Sequence, residues 1–538
     1  MTTGPSIQAA RLTSPRARLT LTVGVLTLLF AAITLRNAWV CDDAYITFRT
    51  IDNFVNGFGL TWNIVERVQT YTHPLWMLLN LPVYFFTREA FFSSIYLSLV
   101  VSSLAVAMVA LKIADSWKIG ALAVLALTLS KAFVDFSTSG LENPLTHLLI
   151  AAFVVVYVGS RRSLQSLGTL SLIASLAMLN RLDTALLFAP ALIACARPIR
   201  TFRAAAPIAV GMIPLLLWEL FAFFYYGFLF PNTAYAKLNT GIPQMELWQQ
   251  GGHYFFNSLT SDPLTLTVIA GFVVATIVFR ARHILPLAIG VMLYLIYILS
   301  IGGDFMIGRY FTAPLFLAVA AISSVPMKLN RYALIGAIAA ILCLGMMSPN
   351  CPLYTTADYG LTAAQYEMLK AGPGSNRENH NIMDERAFYF PWSSWLNASP
   401  GKAMPSHDWA NQGRALRGDP PQLVTKSTIG YFGYFAGPHV HVLDDMALGD
   451  PLLARLPIKQ NGEWIIGHFQ REIPDGYPET IMTGQNQIAD SNLARYYDKL
   501  SQVTQASPWS FDRLLTAAKC DLGGYTYLIE RYKNNQAR

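Results

Sequence analysis

The chain has 538 residues, of which 53% are hydrophobic and only 13% charged, with a mean hydropathy of +0.38. Soluble proteins carry about 25% charged residues, so a wholly soluble globular protein is excluded, and the 12% of aromatic residues excludes a disordered chain. The net charge of +7 does not point to nucleic acid, because of where it lies: residues 1–348 hold 22 Lys/Arg and 13 Asp/Glu, residues 349–538 hold 17 and 19.

The excess of positive charge therefore sits in the apolar part, where basic residues act as topology signals. A helix needs about 20 apolar residues to cross a bilayer. In chain order, apolar runs predict spans at Ala17–Leu35, Phe91–Leu111, Gly120–Val134, Pro144–Gly159, Leu164–Leu179, Thr184–Ala196, Ala204–Leu229, Pro263–Phe279, Ile284–Ile301, Tyr310–Val325 and Tyr332–Met347. That is about eleven. Pro74–Phe86 would be a twelfth, and parity removes it. With Pro74–Phe86 lying on the surface, the inner face carries Arg11, Arg16, Arg18, Lys112, Lys118, Arg161, Arg162, Arg197, Arg200, Arg203, Arg280, Arg282, Lys328 and Arg331, with Asp115 the only acid. If it spans, every later loop flips and the inner positive charge is lost. The first span is too long, and lacks the small-residue site, to be a cleaved signal peptide.

The expected architecture is a multispan α-helical membrane domain over 1–348, with an outer loop at 36–90 carrying surface helices. A mixed α/β extracytoplasmic domain follows over 349–538. In that domain His439–Leu443 and Trp464–His468 read as strands and Asn492–Leu500 as a helix. Cys351 and Cys520 bracket it, so a disulfide and two unpaired buried thiols are both open readings. No Cys/His spacing suggests zinc.

The unusual residues gather at the outer face. After the first span comes Cys41-Asp42-Asp43, whose adjacent carboxylates repel. Such a pair persists where it binds a cation, accepts hydrogen bonds or does acid/base work; the bland alternative is a helix cap, with Asp42 or Asp43 as N-cap. The segment runs on through Arg49 to His73. Ser137–Asn143 contains Glu142, readable as an acid near a helix N-terminus. Asn180–Asp183 pairs Arg181 with Asp183. Phe230–Lys237 carries Asn232 and Lys237, and Gly302–Tyr310 carries Asp304 and Arg309. Glu219 is an acid inside a span. Acids that activate a hydroxyl and cations that hold a phosphate, set at the outer ends of apolar helices, suit glycosyl transfer from a lipid-phosphate sugar. A nucleotide-sugar enzyme would need its site inside, where the loops are too short.

The segments DDAYITFR, GLTWN, ERVQTYTHPLW, SGLENP, FPNTAYAKL, GGDFMIGR, GYFGYFAGP, LDDMALGDPLLARLP and GHFQREIPDGY, from about Asp42 to Tyr477, resemble the GT-C glycosyltransferases. More closely, they resemble the bacterial terminal β-1,2-arabinofuranosyltransferase group, mycobacterial-type enzymes and related pilin arabinosyltransferases. The resemblance implies a polyprenyl-phosphoryl arabinofuranose donor, a glycan or pilin-like protein acceptor, and a carbohydrate-binding outer domain. It also implies catalytic roles for Asp42 and Asp43. The donor phosphate is then expected at Arg49, His73, Arg181, Lys237 and Arg309, and the sugar at Glu142, Asp183, Asn232 and Asp304. A divalent cation (Mg, Mn or Ca) held by Asp42 and Asp43 is the one cofactor considered. The expected location is the bacterial inner membrane, with the N-terminus cytoplasmic and the C-terminal domain periplasmic. A lipid-linked sugar transporter or flippase, and a non-catalytic glycan-binding membrane protein, are the rival readings. The first would require inverted repeats and midplane charges, which the sequence does not display.

Overall fold

The computed structural model describes residues 15–159, 163–197, 203–238, 240–359, 380–459 and 464–536. Arg11, Arg161, Arg162 and Arg200, read above as inner-face markers, lie outside the described residues. Each apolar run is helical over most of its length, as in Phe91–Met108, Asn143–Gly159, Leu164–Asn180 and Leu285–Ser300. Among the described residues one helix, Phe91–Ile113, is long and apolar enough to cross a membrane alone. The number rises to three if the bent pairs Ala205–Gly211 with Ile213–Tyr225 and Gln244–Ser261 with Pro263–Val278 each count once; nine other apolar helices are shorter. Pro74–Thr87 has 14 residues, about 21 Å of helix against a hydrocarbon core of about 30 Å.

The chain forms two compact units, each drawn from three segments. The first is Met1–Val40, Ser94–Ile213 and Leu247–Ala398. Its centre is the helix Thr312–Ser323, buried at every residue but Ile322. Phe316 of that helix stacks on Phe133 and His147, with ring centroids 5.7 and 5.2 Å apart. Surrounding helices bury one side and expose Ile193, Val274, Ile277 and Ile335 on the other. Helices apolar all round belong in an apolar solvent.

The second unit is Cys41–Ser93, Pro214–Glu246 and Ser399–Arg538. It is mostly helical. Its sheet has two parallel strands, Gln422–Lys426 and Val440–Asp444, with Gln422 opposite Val440 and Lys426 opposite Asp444. The helix Gly430–Ala436 makes the crossover that a parallel pair requires. The second strand lies one residue on from its predicted position. Trp464–His468 is not a strand: Gly467 adopts φ 81° and turns the chain back, so Ile465 only bridges His468. The predicted helix Asn492–Leu500 is the middle of Ser491–Gln505, capped by the Asp490 carboxylate, which accepts from the Asn492 and Leu493 N–H groups.

The units do not part at Pro349. Residues 380–398 belong to the first because Trp39 bridges Ser394, Lys131 pairs with Asp384 at 2.9 Å, and Arg386 pairs with Asp135 at 2.8 Å. Residues 41–93 join the C-terminal segment through the bonds described below. Cys351 and Cys520 are both thiols rather than half-cystines, so the disulfide reading is not met.

Candidate active site

In the second unit, Asp42 and Asp43 open the helix Asp42–Val55, and Cys41 is its N-cap without a side-chain bond. Neither aspartate caps its own helix, contrary to the cap alternative. Asp42 instead caps another one. Its carboxylate accepts the Gly430 N–H at 3.0 Å and the Tyr431 N–H at 2.7 Å, at the start of Gly430–Ala436. Gly430 permits the approach, since a Cβ there would fall 1.8 Å from the Asp42 carbonyl oxygen. Burial pushes the Asp42 carboxyl up to about 7; the Tyr431 N–H opposes this, the Asp43 charge adds to it, and the Gly430 N–H opposes it again. Asp42 is buried and Asp43 half-buried.

His468 is a neighbour that the strand reading concealed. Burial lowers its pKa, the Asp43 charge works the other way, and the Lys237 charge works with burial. The three side chains are therefore electrostatic neighbours. Lys237 is exposed, at the end of the short helix Asn232–Lys237. His73 lies at the start of Pro74–Thr87 and shares a 2.9 Å hydrogen bond with the Thr47 hydroxyl, which ties it to the Asp42 helix. Glu66 is buried too, and burial followed by the Asp450 charge raises its pKa.

Two predicted ligands have other work. Arg49 is fully enclosed. Its guanidinium donates to the carbonyls of Trp62 at 2.8 Å, Gly433 at 2.6 Å and Val440 at 2.8 Å, and to Asn63 Oδ1 at 3.4 Å, while lying over the Trp62 ring. It pins segments together rather than facing a phosphate. Asn232 donates to the carbonyls of Ala447, Leu448 and Asp450 and accepts from Arg455. Those bonds occupy both amide N–H groups and tie Asn232 to the 447–450 loop.

The first unit gathers five predicted residues from three separate segments. Glu142, whose side chain is only 2% exposed, accepts from Arg181 at 2.9 Å and from Arg309 at 3.2 and 3.4 Å. Arg181 also forks onto Asp183, and Arg309 lies 3.7 Å from Asp304. Tyr294 donates to Asp183 at 3.1 Å, and Tyr310 lies under Arg181. The two guanidinium charges are met by three carboxylates, so the cluster carries no surplus of positive charge for a phosphate. The glycines of Gly302–Arg309 are needed: Gly303 and Gly308 have φ of 72° and 77°, and a Cβ on Gly303 would meet the Tyr254 ring at 2.4 Å. A second buried network, Lys131, Asp135, Asp384 and Arg386 with Tyr359, carried no sequence signal beyond its charges.

A divalent cation at Asp42 and Asp43 is not supported by the donor set. Both Asp42 oxygens accept backbone N–H groups, and no group of three or more His, Cys, Asp or Glu side chains converges among the described residues.

No family model matches the chain. It is 27% identical over 557 residues to the terminal beta-(1->2)-arabinofuranosyltransferase of Mycobacterium tuberculosis, covering 86% of this chain and 85% of the relative. It is 22% identical over 506 residues to the protein of the same name from Corynebacterium glutamicum, covering 80% and 72%. The resemblance read from the sequence therefore holds over most of the chain. Among solved structures, ArnT from Cupriavidus metallidurans bound to undecaprenyl phosphate aligns with a TM-score of 0.49 and 13% identity, over 81% of this chain and 88% of that one.

Proposed function

We propose that the protein is a membrane-embedded glycosyltransferase that moves D-arabinofuranose from a polyprenyl-phosphate donor to an extracytoplasmic glycan or protein acceptor. The observation that carries this is the similarity to two terminal arabinofuranosyltransferases over most of the chain. Neither rival reading, transport nor passive glycan binding, has a comparable observation behind it. The topology proposed is eleven spans in the bacterial inner membrane, with the N-terminus inside and the segments 36–90 and 349–538 outside, resting on the distribution of basic residues.

The reaction centre proposed is Asp42, Asp43, His468 and Lys237. Asp43 is the less buried acid beside a histidine and an exposed cation, and Asp42 is fixed by main-chain N–H groups with a carboxyl near neutrality. A carboxyl at about 7 accepts a proton efficiently at ordinary pH. In an inverting transfer the acceptor hydroxyl loses its proton to an aspartate, its oxygen bonds to the anomeric carbon, and the carbon–oxygen bond to phosphate breaks with the electron pair leaving on phosphate. In a retaining transfer the aspartate displaces the phosphate from the anomeric carbon to form a glycosyl ester, and the acceptor hydroxyl, losing its proton to a base, then displaces the aspartate. Lys237 meets the charge that develops on the phosphate.

The test is sugar release from a synthetic polyprenyl-phosphoryl arabinofuranose by purified Asp42→Asn and Asp43→Asn variants. Loss of turnover in at least one is expected. Wild-type turnover in both would remove the catalytic assignment.

A further inference from the structure

The helix Phe511–Asp521 has two working faces. One buries Arg513, Thr516 and Ala517 in the second unit. The other leaves Phe511 72%, Leu515 46% and Leu522 87% exposed, and Trp509 just before the helix is 82% exposed. Positions 511, 515 and 522, with the half-buried Leu514 and Ala518 between them, make one stripe at helical spacing. An apolar stripe of this kind, led by an exposed indole, marks a surface with an apolar partner.

The identity of that partner follows from what the helix is tied to. Arg513 donates to the carbonyls of Phe224 at 2.7 Å and Tyr225 at 2.9 Å, the last two residues of the apolar helix Ile213–Tyr225. Trp509 sets its ring against Phe224, centroids 5.6 Å apart. Below that contact, Leu216, Leu217 and Leu220 are each about 60% exposed on the same apolar helix. The exposed apolar side of Ile213–Tyr225 thus continues through Phe224 onto Trp509. The helix end where Arg513 is bound is the level at which that chain leaves the hydrocarbon. Tryptophan is enriched at that level, and helices apolar on one side lie flat there. Lys519, exposed on the same helix, has the length to reach a lipid headgroup.

We infer that Trp509 and the helix Phe511–Asp521 lie in the lipid–water interface and anchor the second unit to the bilayer surface. The inference rests on the reading of Ile213–Tyr225 as membrane-embedded. It assigns the C-terminal segment a membrane contact of its own, far in sequence from the apolar helices. The occupant of the stripe is lipid, not a second copy or another protein.

The experiment uses the full chain in phosphatidylcholine–phosphatidylglycerol nanodiscs, with acyl chains either plain or brominated near the carbonyl. The emission of Trp509 is taken as the difference between wild type and Trp509→Phe. Brominated lipid is expected to remove about half or more of it, as for an indole at the interface. Leu522→Trp in the Trp509→Phe background reports the far end of the stripe and is expected to be quenched as well. If total tryptophan emission is quenched while neither position is, the anchor is refuted and the membrane reading stands. If nothing is quenched, both fall. A blue-shifted but unquenched Trp509 signal means that protein covers the stripe, and it also refutes the inference.

Discussion

Replacing Glu142 by Gln keeps the shape of the side chain and removes one charge between two guanidiniums. The cost can be worked from the contacts. Glu142 makes one bond to Arg181 at 2.9 Å and two longer ones to Arg309 at 3.2 and 3.4 Å. Hydrogen bonds to charged groups contribute about 1.5–3 kcal/mol each, and removing one partner of a buried ion pair costs about 3–5 kcal/mol. Arg181 keeps Asp183, while Arg309 keeps Asp304 at 3.7 Å, which places the expected loss at the lower end, about 3 kcal/mol. Unfolding of the purified protein in mixed micelles titrated with a denaturing detergent reads it directly. A cycle with Arg309→Met adds the specific check, with coupling of about 1 kcal/mol or more expected for groups in contact. If Glu142→Gln costs under about 1 kcal/mol, or the two changes are additive, the cluster does not depend on Glu142.

Four other outcomes are expected. Asp42 titrates at about 7, so kcat/KM should fall about tenfold per pH unit below that value if its ionised form is required, and a flat profile from about pH 5 to 9 would contradict it. The same raised pKa acts on stability. The contribution of Asp42 is fully present below the ordinary carboxylate range and is lost as pH rises through about 7; Asp42→Asn should flatten that part of the stability profile. Arg49→Lys should destabilise the protein by about 3 kcal/mol by leaving buried carbonyls unpaired, without raising KM for the donor; a raised KM with unchanged stability would restore its phosphate role. Gly430→Ala forces a Cβ against the Asp42 carbonyl oxygen, so it should lower kcat through Asp42 and shift the pH profile; unchanged kinetics would separate that contact from the chemistry.

The helices were legible because an apolar run long enough to meet lipid leaves little alternative to a backbone that satisfies itself. The acids and arginines of SGLENP, NRLD and GGDFMIGR were legible as unusual charges, and their convergence on Glu142 makes physical sense of them. Arg49 was not distinguishable from Arg181 by sequence, because its acceptors are main-chain carbonyls as far off as 384 and 391 positions, and a carbonyl has no residue type. His468 was hidden for a different reason: WIIGH has the composition of a strand, and only the left-handed Gly467 shows that the chain turns there. The Lys131–Asp384 network was missed because its members come from the end of an apolar run and from a segment without a motif.

Asp42 and Arg49 have consequences for the order in which the protein can be completed. The N–H groups that fix the Asp42 carboxylate belong to Gly430 and Tyr431, and the carbonyls that quench Arg49 belong to Gly433 and Val440. During synthesis the residues around Asp42 leave the ribosome long before these partners exist. The buried charge of Arg49 has no native home until then and stays in water. The Asp42 carboxylate is therefore fixed only by the last fifth of the chain, and a polypeptide cut short before residue 430 carries it without the N–H groups that hold it.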